Sequence, residues 1–192
     1  MNRKIILLFV IIVIATGTAF FCLTPAQPAT ISAAEKTVRQ KEQQIFADWY
    51  EEYVVNLEQL DFNWKQYHRI SGDLREEIIS ADTANERLTA LEAKQNDRIK
   101  TIKALIPPTE LRAEIYDLTS AIYKKQLAYA TAQQLTITKS VKLLDSEAAI
   151  NETDEELSRQ LSEICIANAP AALFTAEEIS AIRDYFALID KN

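Results

Sequence analysis

Few side chains in this sequence could do chemistry, and their spacing works against each chemistry in turn. His68 is the only histidine. One imidazole cannot supply the Glu-x-x-His ligand pairs of a di-iron bundle or a His-x-x-x-His zinc pattern. Cys22 and Cys165 are too few for a cysteine-ligated metal, and lie in segments that an intrachain bridge would hardly bring together. A serine or cysteine nucleophile would have to borrow His68 as its base, and no local pattern supports the pairing. With two glycines in the whole chain, there is no loop to cradle a phosphate. The adjacent acids Glu51-Glu52, Glu76-Glu77, Glu155-Glu156 and Glu177-Glu178 suggest a cation site at first sight. Sequence neighbours do not face each other on a helix, however, and the last two pairs sit in first turns, where carboxylates offset the helix dipole. The expectation is a protein with no catalytic, cofactor-binding or metal-ligating residues. His68 then reads as a helix C-terminal residue favoured by the dipole, and Cys165 as a small core residue.

Two other groups carry a functional signal. Val55 and Phe62 are seven residues apart and point away from the apolar stripe of their own helix, among Glu51, Glu58 and Arg69; they are a candidate contact for a protein partner or a second copy. Gln126, Gln133, Thr136 and Ser140 fall in or beside the apolar stripe of a later helix. Buried there, they would fix helix register by hydrogen bonding, or line a small-ligand cavity together with that helix's tyrosines.

The elements that must position these residues are helices. Phe46, Trp49, Tyr53, Leu57, Leu60, Trp64 and Tyr67 recur at spacings of three and four, which places all seven on one side of a helix that needs partners. The scarcity of glycine and the abundance of Ala, Leu, Ile, Glu, Lys and Gln argue for an all-α fold. A first helix is expected over 33–69, ending at the turn Ser71-Gly72-Asp73, with Asp73 capping a second helix that carries Leu74, Ile78, Ala81, Leu88, Leu91, Ile99, Ile102 and Leu105 and breaks near Asp82. Pro107-Pro108 ends it, and a third helix follows almost at once, over about 109–145, with Pro108 in its first turn. Thr153 caps a fourth helix that buries Leu157, Leu161, Ile164 and Cys165 and stops at Asn168-Ala169-Pro170. A fifth opens at Thr175 with Phe174 stapled to Ile179, and buries Ile179, Ile182, Phe186 and Ile189. The expected architecture is an antiparallel up-down bundle of three long helices, with two short helices in tandem as the fourth leg.

Ahead of the bundle, Arg3 and Lys4 precede an apolar run from Ile5 to Leu23, close to the length that crosses a bilayer. Residues 1–24 are therefore read as a signal-anchor transmembrane helix, 25–32 as a linker broken by Pro25 and Pro28, and 33–192 as the folded domain. The positive residues put the N-terminus in the cytoplasm and the domain outside it. Gly17-Thr18-Ala19 or Thr24-Pro25-Ala26 offers a signal-peptide cleavage site as the alternative, in which case the domain is secreted. Phe21 before Cys22 argues against a lipid-modified cysteine. The formal charge of −7 is concentrated after Ser146, and such a surface repels nucleic-acid phosphates.

Together these features predict a non-enzymatic, membrane-anchored, extracytoplasmic helical bundle acting in protein interaction or scaffolding at the cell envelope. The alternative is a small-ligand or metal-binding solute module tethered to the membrane. The architecture is similar to four-helix ectodomains of bacterial sensors, a likeness of fold alone. No second apolar run of spanning length follows residue 32, so a signal to the cytoplasm would need a partner protein.

Overall fold

The computed structural model describes residues 32–147 and 149–187, and every regular element among them is helical. Helix α1 runs Ala33–Arg75, α2 Ala81–Ala104, α3 Ala113–Leu144, α4 Asp154–Asn168 and α5 Ala176–Ala187, with a short 3-10 turn at Ala149–Asn151. Helices α1, α2 and α3 pack as successive antiparallel neighbours. Helices α4 and α5 both bridge α3 and α1, α4 at the far end of the bundle and α5 near the start of α1. The fourth leg is thus two helices in tandem, as expected. Among the described residues no helix is long and apolar enough to cross a membrane; the anchor read at Ile5 to Leu23, the linker up to Ile31 and Ile189 lie outside the described residues.

Several expected boundaries are corrected. Ser71-Gly72-Asp73 is not a turn but the last turns of α1, which continues to Arg75. The chain reverses at 76–80 instead. There Glu77 takes φ 57, its N–H bonds to Leu74 O at 3.0 Å, and the Ile78 N–H bonds to Asp73 O at 2.8 Å. These two bonds make a Schellman motif, with a glutamate where glycine is usual. Ser80, not Asp73, caps α2, its hydroxyl accepting from the Thr83 N–H at 3.3 Å. The expected break near Asp82 is therefore the start of α2. Leu74 ends α1 as a fully buried residue, and Ile78 is 64% exposed in the turn.

Helix α3 begins at Ala113, so Pro108 precedes it in the connection, and Arg112 at its N-cap makes no side-chain cap bond. Thr153 caps α4 as expected, accepting from the Glu156 N–H. Phe174 does not staple α5, being 77% exposed. The start of α5 is instead held from α3 by Lys125, whose Nζ donates to Phe174 O and to the Glu178 carboxylate.

The aromatic stripe of α1 faces inward, with Trp49, Tyr53, Leu60 and Tyr67 buried and Phe46, Leu57 and Trp64 at its edges. Two apolar clusters result. One, near the start of α1, joins Trp49 and Tyr53 to Leu111, Ile115, Ile122, Ile182 and Phe186. The other, at the far end, joins Tyr67, Ile70 and Leu74 to Leu88, Leu91, Ile137, Val141 and Leu161. Between them lies a smaller apolar group of Leu60, Ile102 and Ala130, and around it a belt of buried amides.

Candidate functional site

The belt is built from positions that a coiled-coil seam would fill with apolar residues. Along α1, Glu42, Trp49, Asn56, Asn63 and Ile70 are spaced by seven and all are buried. Along α3, Thr119, Gln126, Gln133 and Ser140 are also spaced by seven, and each is fully buried. This spacing keeps residues within about 20° of one another per heptad, so a polar line faces the bundle axis from both helices. Gln95 of α2 joins them. Its Oε1 accepts from Asn63 Nδ2 at 2.9 Å, and its Nε2 donates to Ala130 O and to Gln133 Oε1, both at 3.1 Å. One amide thereby links three helices with its hydrogen-bonding capacity used on both atoms.

Thr119 bonds within its own helix, to Ile115 O at 2.7 Å, whereas other seam residues tie helices together. Gln126 Nε2 donates to the main-chain carbonyl of Tyr53 at 2.9 Å. Arg98 Nη1 donates to Asn56 Oδ1 at 2.8 Å. Ser140 Oγ donates to Thr136 O, which leaves the Tyr67 hydroxyl as donor to Ser140 Oγ at 3.0 Å. Thr136 Oγ1 bonds to Asn168 O at 3.1 Å and Lys139 Nζ to Asn168 Oδ1 at 2.6 Å, which satisfies the end of α4 where the fourth leg is interrupted. Of the four residues singled out from sequence, Gln126, Gln133 and Ser140 belong to the seam, and Thr136 lies beside it, bonded to the end of α4. Two amide atoms, Gln126 Oε1 and Gln133 Nε2, are buried without a bond of ordinary geometry. Sequence reading missed Asn56, Asn63, Gln95 and Thr119. Asn56 and Asn63 share a seven-residue spacing with Trp49 and Ile70, Gln95 with Leu88 and Ile102, and Thr119 with Gln126 and Gln133.

A second buried polar cluster, also missed, closes the bundle near the start of α1. The Glu42 carboxylate accepts from the Arg112 N–H at 3.1 Å, from Arg112 Nε at 3.1 Å and from the Tyr185 hydroxyl at 3.1 Å. The Arg39 and Arg112 guanidinium carbons lie 4.7 and 4.8 Å from the centre of the Tyr185 ring, so two cations share one aromatic ring. Burial, then the bond to Glu42 and its charge, raise the Tyr185 pKa.

Burial also governs the other perturbed groups. It pushes Tyr67 up to about 12, against a smaller opposing effect of the Ser140 bond. It raises Tyr53 too, partly offset by the hydroxyl of Thr175, 3.4 Å away. Tyr129 is raised by burial and by Asp61, with the Gln133 amide pulling the other way. The Cys165 thiol is raised by burial, which favours the unreactive neutral form. Every one of these shifts holds a group in its uncharged state, as a packed interior does. Glu178 is the exception, its carboxyl held low chiefly by the Lys125 hydrogen bond.

No family model, curated protein or solved structure matches this chain. What it can do must be read from its own surface. Among the described residues, no group of three His, Cys, Asp or Glu side chains is placed to hold a metal ion. An open cleft of about 560 Å³ lies outside the bundle between α3 and α4, lined by Lys139, Arg159, Gln160, Glu163, Ile164, Ala167 and Asn168; none of the four polar residues named from sequence lines it. Val55 and Phe62 stand apart from the seam. They are 45% and 53% exposed on the outward face of α1, and Asp48, Glu51, Glu58, Lys65 and Arg69 around them are exposed as well.

Proposed function

We propose that this protein is a non-enzymatic interaction or scaffold bundle of the cell envelope, held to the membrane by Ile5 to Leu23 and meeting its partner through the outward face of α1. The observation that carries the reading is the pair Val55 and Phe62: two large apolar side chains on one line of an otherwise charged, solvent-facing helix surface. Isolated exposed apolar residues are ordinary, but two in register on the helix that organises the core form a contact line. The first turns of α1, 33–41, are mostly exposed, which leaves that face of the helix open along its whole length.

A photoreactive residue at Phe62, activated on intact cells, tests this reading. The expected result is one crosslinked protein species that disappears with Val55→Asp. A second reading, a tethered module for a small solute, draws its support from two of the seven buried side-chain atoms left unmatched among the described residues, Gln126 Oε1 and Gln133 Nε2. A saturable rise in melting temperature with a small polar solute, together with no crosslink at Phe62, would favour that reading instead.

A further inference from the structure

We propose that the occupant of the α1 outward face is a second copy of the same chain, docked antiparallel; this rests on the reading of that face as an interaction surface and names its partner. Asp48, Val55, Phe62 and Arg69 follow one another at intervals of seven, so they form a nearly straight line along α1, and all four are exposed. The line is acidic at one end, apolar in the middle and basic at the other. Glu51 and Lys65 lie beside it on the same flank and are also exposed.

Two ways of pairing this line with its copy are distinguishable by charge. About a two-fold axis parallel to the helices, each residue meets its own counterpart. Asp48 would then face Asp48 and Arg69 would face Arg69, with Glu51 beside the acids of the other copy. About a two-fold axis crossing α1 between Glu58 and Gln59, Val55 meets Phe62, Asp48 reaches Arg69 and Glu51 reaches Lys65, each contact occurring twice by symmetry. The antiparallel pair converts every repulsion at the ends into an attraction, which is how charge selects orientation in helix pairing. One adverse contact remains: Glu58 comes beside Glu58 of the second copy at the axis.

The contact from Asp48 to Arg69 is about 33 Å long, and a strip one helix wide buries on the order of 700 Å² in total, below the ~1,200 Å² of stable specific complexes. The dimer is therefore weak and reversible.

The test uses the full chain in detergent, with self-association read by sedimentation equilibrium. Phe62→Glu should abolish the dimer without altering the melting temperature, since the side chain is outside the core. Asp48→Arg and Arg69→Asp should each raise Kd about tenfold, and the double variant Asp48→Arg/Arg69→Asp should restore it. Glu58→Gln should tighten it. A dimer that the double reversal fails to rescue overturns the antiparallel register. A chain that stays monomeric at all soluble concentrations, yet crosslinks to a different protein at Phe62 on cells, overturns this inference and leaves the interaction reading standing. A monomer that captures nothing overturns both.

Discussion

Gln95 is the residue on which the seam turns, because a single side chain holds Asn63, Gln133 and the Ala130 carbonyl. Truncating it to alanine leaves two buried amide groups, on Asn63 and Gln133, without their partner and opens a void, so Gln95→Ala should lower unfolding free energy by about 2–4 kcal/mol in a urea titration. The triple change Asn63→Leu/Gln95→Leu/Gln133→Leu should restore that loss or exceed it, because an apolar layer needs no bonds. If the amides set register, the same variant will show doubled or broadened amide resonances despite its stability. Sharp single resonances would remove that role. Tyr67 gives a prediction in pH. With its folded pKa near 12 against an ordinary 10, the neutral form is favoured by folding. Its contribution, at most about 3 kcal/mol, is complete below pH 10 and is lost as pH rises towards 12. Urea titrations across that window should show a steep alkaline decline, and Tyr67→Phe should flatten much of it. These polar residues were half legible from sequence. Gln126, Gln133, Thr136 and Ser140 stood out because they interrupt an apolar stripe. Asn56 and Asn63 did not, because Leu57 and Trp64, one position round the helix, complete a plausible stripe without them.

At the scale of elements, the end of α1 separates what composition can tell from what geometry decides. Glycine usually marks a chain reversal, yet Gly72 sits inside the helix with a negative φ, while Glu77 makes the left-handed turn five residues later. The decisive interactions are the burial of Leu74 and the bonds from Glu77 and Ile78 back to Leu74 and Asp73, and none of these is a local sequence signal. A methyl group at Gly72 would meet nothing within 4 Å. Gly72→Ala should therefore raise stability by about 0.5–1 kcal/mol, and Glu77→Gly by about 1 kcal/mol through relief of the left-handed conformation. Thermal denaturation of the two variants checks both; a loss of stability in Gly72→Ala would mean that the helix ends earlier. The capping of α4 by Thr153 was readable in advance because Thr-x-x-Glu places both partners within one turn. The expected staple at Phe174 failed because a longer-range tie, Lys125 to Glu178, holds that segment from α3.

For the whole molecule, the order of the legs followed from helix lengths and short connections, but the position of the cluster around Glu42 did not. It brings together residues from α1, α5 and the connection before α3 that are distant in sequence. Glu42→Gln keeps the shape and removes the charge that Arg112 and Tyr185 face; the expected loss is about 2 kcal/mol, measured by urea titration with Glu110→Gln as an exposed control. The divided fourth leg also bears on how the molecule would respond to load. Tension on the C-terminal side would reach α5 first, where Ile182 and Phe186 are the buried contacts and Lys125 is the clasp at its start. The break at 169–175 would stop the peeling there, since α4 is separately fastened to Thr136 and Lys139. A force-extension trace should therefore show two successive rips before the three longer helices give way, so that the bundle would act as a graded spring rather than a single latch.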